Sequence, residues 1–182
     1  MKTVGDKLDP FRVLGVKPGF NLPEENGISA FEAITESSFP GKWKVIYFYA
    51  KDFSDLCSTE IIGYARLAPE FEARDAVLMG GSADNEYVKL GWRREHADLS
   101  RLNHYQFADV AGDLIDQLGI RERTSGAPMR VTVIVDHDNV IQHISATNSM
   151  VGRNPEETLR LLDALLTGEP CPAGRPVGGA TL

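Results

Sequence analysis

The sequence predicts an α/β sandwich, a mixed central β-sheet flanked by helices. Three features of the 182-residue chain point there. Short β-branched and aromatic runs alternate with stretches of helical periodicity, the order expected when helices cover the faces of a sheet. Late in the chain two such runs face each other across a short turn, as in a hairpin. A strongly patterned helix follows, and this hairpin-then-helix ending fits a thioredoxin-like fold.

Taken in order, the first forty residues are rich in Gly, Pro, Asn and Ser and read as loops and short extended pieces. Lys44–Ala50 (KVIYFYA) is too short for a helix and too apolar for an edge, so it reads as a buried central strand. From Ser58 to Ala73, residues Ile61, Ile62, Ala65, Ala68 and Phe71 recur at helical spacing. This predicts an amphipathic helix, with a break expected near Pro69. Ala76–Ser82 (AVLMGGS) is the next buried strand. Asn85–Ala97 is a helix carrying Val88, Leu90 and Trp92, Tyr105–Ala108 a short strand, and Ala111–Leu118 a short helix stopped by Gly119. Arg130–Asp136 and Val140–Ala146 form the hairpin around His137-Asp138-Asn139. Pro155–Leu166 carries Pro in its first turn and acids at its start, both helix-start signals. The expected organisation is one domain over 1–168 and a Pro/Gly-rich tail over 169–182 that holds Cys171 and no regular structure.

Composition narrows the function classes. The net charge of −7 argues against nucleic acid, which demands a basic footprint, and against a polybasic membrane contact. No apolar run approaches the ~20 residues that span a bilayer. The first ten residues lack a signal peptide's apolar segment, so a cytoplasmic location is the expectation. Gly80-Gly81 hints at a phosphate loop, but no nucleotide-binding glycine motif accompanies it. His96, His104, His137 and His143 show no metal-ligand spacing with the cysteines, and no serine-hydrolase elbow occurs.

The two cysteines, Cys57 and Cys171, are too few for a disulfide framework and, alone, for a structural zinc site. In a reducing compartment such cysteines are either inert core filler or redox-active. Cys57 falls between a buried strand and the first turn of the next helix, where free N–H groups and the positive end of the helix dipole favour a thiolate.

The segment Ala50-Lys51-Asp52-Phe53-Ser54-Asp55-Leu56-Cys57 resembles the peroxidatic-cysteine loop of the peroxiredoxins, Pro-x-x-x-Thr/Ser-x-x-Cys, and is nearest the AhpC-type alkyl hydroperoxide reductases. Further stretches match in the same order: Pro40–Val45, Phe71–Ala76, Trp92-Arg93, Arg130–Asp136 and Val151–Glu157. The resemblance implies a thioredoxin-like thiol peroxidase with no metal, haem or flavin. It makes Cys57 the nucleophile toward peroxide, Ser54 a hydroxyl able to bond the peroxide, and Arg130 the cation beside the sulfur. It makes Glu60 the carboxylate that orients arginine, against an ordinary surface-helix glutamate. Arg153 becomes a second arginine near the site, against a solvated loop charge. Cys171 resembles a resolving cysteine that condenses with the Cys57 sulfenic acid of a neighbouring subunit. The implied partners are a hydroperoxide, hydrogen peroxide or an alkyl hydroperoxide, an external dithiol reductant (thioredoxin-like, AhpD-like or AhpF-like) and a second copy of the chain, in a homodimer or a ring of dimers.

Three positions depart from the family pattern. Ala50 replaces the motif's proline and frees the backbone there. Asp55 would oppose a thiolate if it turned toward Cys57 and would be inert facing solvent. Ser58 is a reasonable helix-start residue. These departures motivate an alternative, a redox sensor or holdase-like scaffold of the same fold with weak peroxidase activity. A thioredoxin-like disulfide exchanger is disfavoured, because no C-x-x-C occurs.

Overall fold

The computed structural model describes residues 1–182. Nine strands and four α-helices follow one another as β1 (Arg12–Val16), β2 (Glu24–Glu25), β3 (Ile28–Ser29), β4 (Phe31–Thr35), β5 (Trp43–Phe48), α1 (Asp55–Glu72), β6 (Ala76–Ser82), α2 (Glu86–Glu95), β7 (Tyr105–Ala108), α3 (Asp113–Leu118), β8 (Arg130–Val135), β9 (Ile141–Thr147) and α4 (Pro155–Leu166). A short 3-10 helix, Ala97–Leu99, links α2 to β7. Seven strands form one sheet in the order β4-β1-β7-β6-β5-β8-β9, and β2-β3 make a small ribbon apart. The β5-β6 and β6-β7 pairs are parallel and the others antiparallel, so the sheet is mixed, as expected.

The side-chain period of two along a strand explains how β5 serves both faces. Ile46 and Phe48 pack with α3 and the N-terminal segment, beside Phe11, Leu114, Ile115 and Leu118. Val45, Tyr47 and Tyr49 point the other way, into a cluster with Ile61, Tyr64 and Phe71 of α1 and with Leu159 and Leu162 of α4. The same alternation divides β8, where Val131, Val133 and Val135 face α3 while Ile134 faces α1 and α4. Arg130 and Thr132 therefore project toward the start of α1.

Four readings change in detail. The first forty residues hold two strands of the main sheet, β1 and β4, paired from Arg12↔Thr35 to Val16↔Phe31. Helix α1 starts at Asp55 rather than Ser58, because Ser54 is its N-cap and accepts from Cys57 N at 3.4 Å. Ser58 is not the cap; its hydroxyl donates to Asp55 O at 2.7 Å inside the first turn. Pro69 does not break the helix. Proline offers no N–H to the carbonyl one turn earlier, and Asn103 Nδ2 donates to that Ala65 oxygen instead, at 3.0 Å.

Gly80 and Gly81 have a packing role. A Cβ on Gly80 would run into the ring of Tyr47, and one on Gly81 into the ring of Phe107. Tyr47 cannot retreat, because it is stacked on Tyr64 with ring centres 4.0 Å apart. Gly80→Ala should therefore destabilise the fold by about 1–3 kcal/mol, the usual range for overpacking. Urea unfolding checks this, and an unchanged midpoint would contradict the packing described.

Candidate active site around Cys57

Cys57 is the third residue of α1 and is completely buried. Ser54 caps the helix through its oxygen lone pair, which leaves its hydroxyl proton free for another acceptor. Arg130 reaches across from β8. Its Nη1 donates to Cys57 Sγ at 3.3 Å and to Glu60 Oε2 at 2.6 Å, and its Nε donates to Ser149 O at 2.8 Å. Burial works against the Arg130 charge, but the bond to Cys57 and the attraction of Glu60 outweigh it and hold its pKa above the ordinary arginine value.

Glu60 lies one helical turn beyond Cys57 and is buried. Arg153 grips it from the second side: Nε donates to Oε1 at 2.7 Å, Nη2 to Oε2 at 2.9 Å, and the Arg153 backbone N–H to Oε1 at 2.9 Å. Arg153 also donates to Val131 O at 2.8 Å, and its guanidinium lies 5.6 Å from the centre of the Tyr47 ring. Two guanidiniums share one carboxylate, so one positive charge in this buried cluster has no fixed counterion. Arg130 sets part of that positive charge against the sulfur of Cys57.

The structure thus brings together Cys57, Ser54, Arg130, Glu60 and Arg153. Glu60 is no surface residue, and Arg153 is no solvated loop charge. Asp55 is exposed, the inert case of its two readings. Ala50 is half-buried at the end of β5 and lines, with Arg130, Pro128, Met129, Thr147 and Ser149, a cleft of about 480 Å³. Cys171 lies elsewhere, beyond the end of α4, where its sulfur is 3.7 Å from Ala164 O. Both cysteines are free thiols.

Sequence reading missed the buried pair that anchors the stem of the Cys57 loop. Lys89 Nζ donates to Asp52 Oδ2 at 3.1 Å, to Ser82 Oγ at 2.8 Å and to Tyr49 OH at 3.4 Å, and neither charged side chain is exposed at all. Burial pulls the Lys89 ammonium below its ordinary pKa, while Asp52 pulls the other way. Between this anchor and the cap, Phe53 adopts a left-handed φ of 56° and stacks on Trp92, centres 5.8 Å apart. The available signal was Lys89 and Arg93, one turn apart on a helix whose buried face also holds Leu90 and Trp92. His104 is structural. It meets Tyr47 OH at 2.6 Å, and burial, helped by Arg93, drives its pKa down to about 3, so the ring is neutral.

The model of the AhpC/TSA family matches residues 15–144 of this sequence. The chain belongs to that family. Alkyl hydroperoxide reductase C of Mycobacterium tuberculosis (strain H37Rv) is 38% identical over 182 residues, covering 99% of this chain and 93% of the relative. Peroxiredoxin-2 of Macaca fascicularis is 33% identical over 160 residues, covering 84% of this chain and 81% of its own. Among solved structures, Mycobacterium tuberculosis AhpC superposes with a TM-score of 0.85 at 38% identity, covering 94% of this chain and 97% of that one. A reduced 2-Cys peroxiredoxin of Plasmodium vivax gives 0.86 at 25% identity, covering 100% and 93%. The AhpC/TSA chain described here is therefore a peroxiredoxin thiol peroxidase on a thioredoxin-like fold. No helix in it is long and apolar enough to cross a membrane.

If the Asp52–Lys89 pair anchors the loop, removing one partner should cost far more than removing both. Lys89→Met leaves a buried, unpaired carboxylate and should destabilise by about 3–5 kcal/mol. Adding Asp52→Asn should recover much of that loss. Urea denaturation of the single and double variants tests this, and equal losses in both would contradict it.

Proposed function

We propose that Cys57 is the peroxidatic nucleophile and that Cys171 of a second copy of the chain resolves it. The thiolate attacks one peroxide oxygen and breaks the O–O bond. The sulfur gains that oxygen as a sulfenic acid, and the other oxygen leaves, once protonated, as water or an alcohol. Arg130 is the group best placed to stabilise both the thiolate and the charge that grows on the leaving oxygen. Ser54 has a hydroxyl proton to offer the peroxide, and the cleft beside Ala50 and Arg130 offers a way in for hydrogen peroxide or an alkyl hydroperoxide. The observation that carries this reading is the 3.3 Å bond from Arg130 to Cys57 inside the Glu60–Arg153 cluster.

Resolution joins the two sulfurs and releases water: the Cys171 sulfur displaces the sulfenic hydroxyl, which departs with the thiol proton. An external dithiol then reduces the disulfide by exchange. Geometry favours the intersubunit route. The start of α4, at Pro155, adjoins Gly63 of α1, and its last turn, at Asp163, binds Arg74 just past the end of α1. The two helices therefore run side by side in one direction, with Cys57 at one end and the tail at the other. At ~1.5 Å per residue, Cys57 and Leu166 are about 25 Å apart along the helix axes. The chain from Leu166 to Cys171 spans at most ~18 Å, and a disulfide adds ~6 Å between Cα atoms. An intrachain bond would thus need the tail fully extended and Cys57 displaced toward it, whereas the tail of a second copy is under no such limit of length. Functionally, residues 1–168 carry the peroxide chemistry and the tail 169–182 carries the resolving thiol.

Three variants test the assignment. Cys57→Ser should abolish peroxide consumption, whereas Cys171→Ser should keep a first turnover and lose recycling. Equal loss of the first turnover in both would reject these roles. Arg130→Met should slow the first oxidation about 100-fold, the usual loss when one preorganised donor is removed, and an unchanged second-order rate by stopped flow would sink its role. After peroxide treatment, a covalent dimer should appear on non-reducing gels. A monomeric band carrying a Cys57–Cys171 bond would reject the intersubunit arrangement.

A further inference from the structure

The tail has no helix or strand, yet it is pinned. Asp163 Oδ2 accepts from Arg175 Nη1 at 2.8 Å and from Gly178 N at 2.9 Å, while its Oδ1 accepts from Arg74 Nε at 3.1 Å. The Arg175 side chain is only 4% exposed, an unusual degree of burial for an arginine in a Pro/Gly-rich terminus. Arg160 Nη1 donates to Arg175 O at 3.2 Å, and Leu182 N donates to Pro170 O at 2.9 Å, which closes the tail into a loop. Cys171 sits within that loop.

The docked position suits a resting thiol rather than an attacking one. Cys171 Sγ faces Glu169 O at 3.4 Å and Ala164 O at 3.7 Å, both acceptors. Thr167 Oγ1 is 3.5 Å away, but its proton already goes to Ala164 O at 2.7 Å. The last carbonyls of α4 add the negative end of a helix dipole. Arg160 is the cation on this side, and Glu157 and the Arg175 carbonyl hold its guanidinium.

We infer that Asp163 and Arg175 form a latch that keeps Cys171 at the end of α4, so that the docked tail restrains disulfide formation. This rests on Cys171 being the resolving cysteine. Asp163 and Arg175 are then positioning residues for the resolution step and have no part in the oxidation of Cys57. The latch is a two-state element, docked or released, and releasing it frees the thiol to travel.

The test uses the full-length chain and measures two quantities. In stopped flow with hydrogen peroxide, Asp163→Asn and Arg175→Gln should leave the Cys57 oxidation phase unchanged and speed the disulfide phase about fivefold, the change that ~1 kcal/mol of lost ion-pair contact makes. In a Cys57→Ser background, iodoacetamide should alkylate Cys171 faster by a similar factor in both. Arg175→Gln is the decisive variant, because it leaves the Arg74–Asp163 contact intact. Unchanged alkylation of Cys171 in Arg175→Gln, or a slower disulfide phase, would overturn the latch. A wild-type protein that forms no Cys57–Cys171 disulfide would instead defeat the reading of Cys171 as resolving cysteine, and the alkylation rates would still decide whether the tail is latched.

Discussion

A single buried carboxylate, Glu60, shared between the guanidiniums of Arg130 and Arg153, is the constraint from which the Cys57 site is built. Charges taken out of water are costly unless paired and hydrogen-bonded, and here every donor aimed at Glu60 has a structural reason to be there. Arg130 is on the face of β8 that looks at α1. Arg153 enters from the loop before α4 and is held against Val131 O and the Tyr47 ring. Glu60 is one helical turn from Cys57, so the carboxylate that fixes Arg130 also fixes its distance from the sulfur. Two cations against one anion leave net positive charge beside the sulfur.

The same arrangement sets the demands on motion. The Cys57 sulfur has no exposed surface, and another cysteine cannot reach it while the first turn of α1 is intact. Disulfide formation therefore needs that turn to open. The anchors flanking it are unequal. Ser54 contributes one long cap bond at 3.4 Å and Phe53 an exposed ring with a left-handed backbone, whereas Asp52 is held by a fully buried ammonium. Opening is thus expected to start at Phe53 and stop at Asp52, with the strand end and α2 left in place.

Much of this was legible in the sequence, for identifiable reasons. The β5 and β8 strands and the hairpin turn announce themselves through β-branched runs and an Asp-Asn turn, in which Asp136 Oδ1 accepts from Asp138 N and Val140 N and Asn139 takes a φ of 65°. Cys57, Arg130 and Glu60 were found through resemblance to a family motif, and the geometry joins them. Strands β1 and β4 were not legible, because their burial comes from pairing with β7 and with each other across loop-rich sequence. The continuity of α1 past Pro69 depends on Asn103, and the stem anchor on Lys89, both distant in sequence from the residues they satisfy. The tail's fixed course depends on Asp163, a helix residue that nothing in the Pro/Gly-rich segment itself foretells.

The central claim is that Glu60 acts on Cys57 through Arg130. A double-mutant cycle tests it most directly, with the second-order rate of Cys57 oxidation by hydrogen peroxide measured in wild type, Glu60→Gln, Arg130→Met and the double variant. The account predicts that each single change slows the reaction and that Glu60→Gln has no further effect once Arg130 is gone. Losses that multiply in the double variant would show that Glu60 influences the sulfur by another route, and would contradict the account.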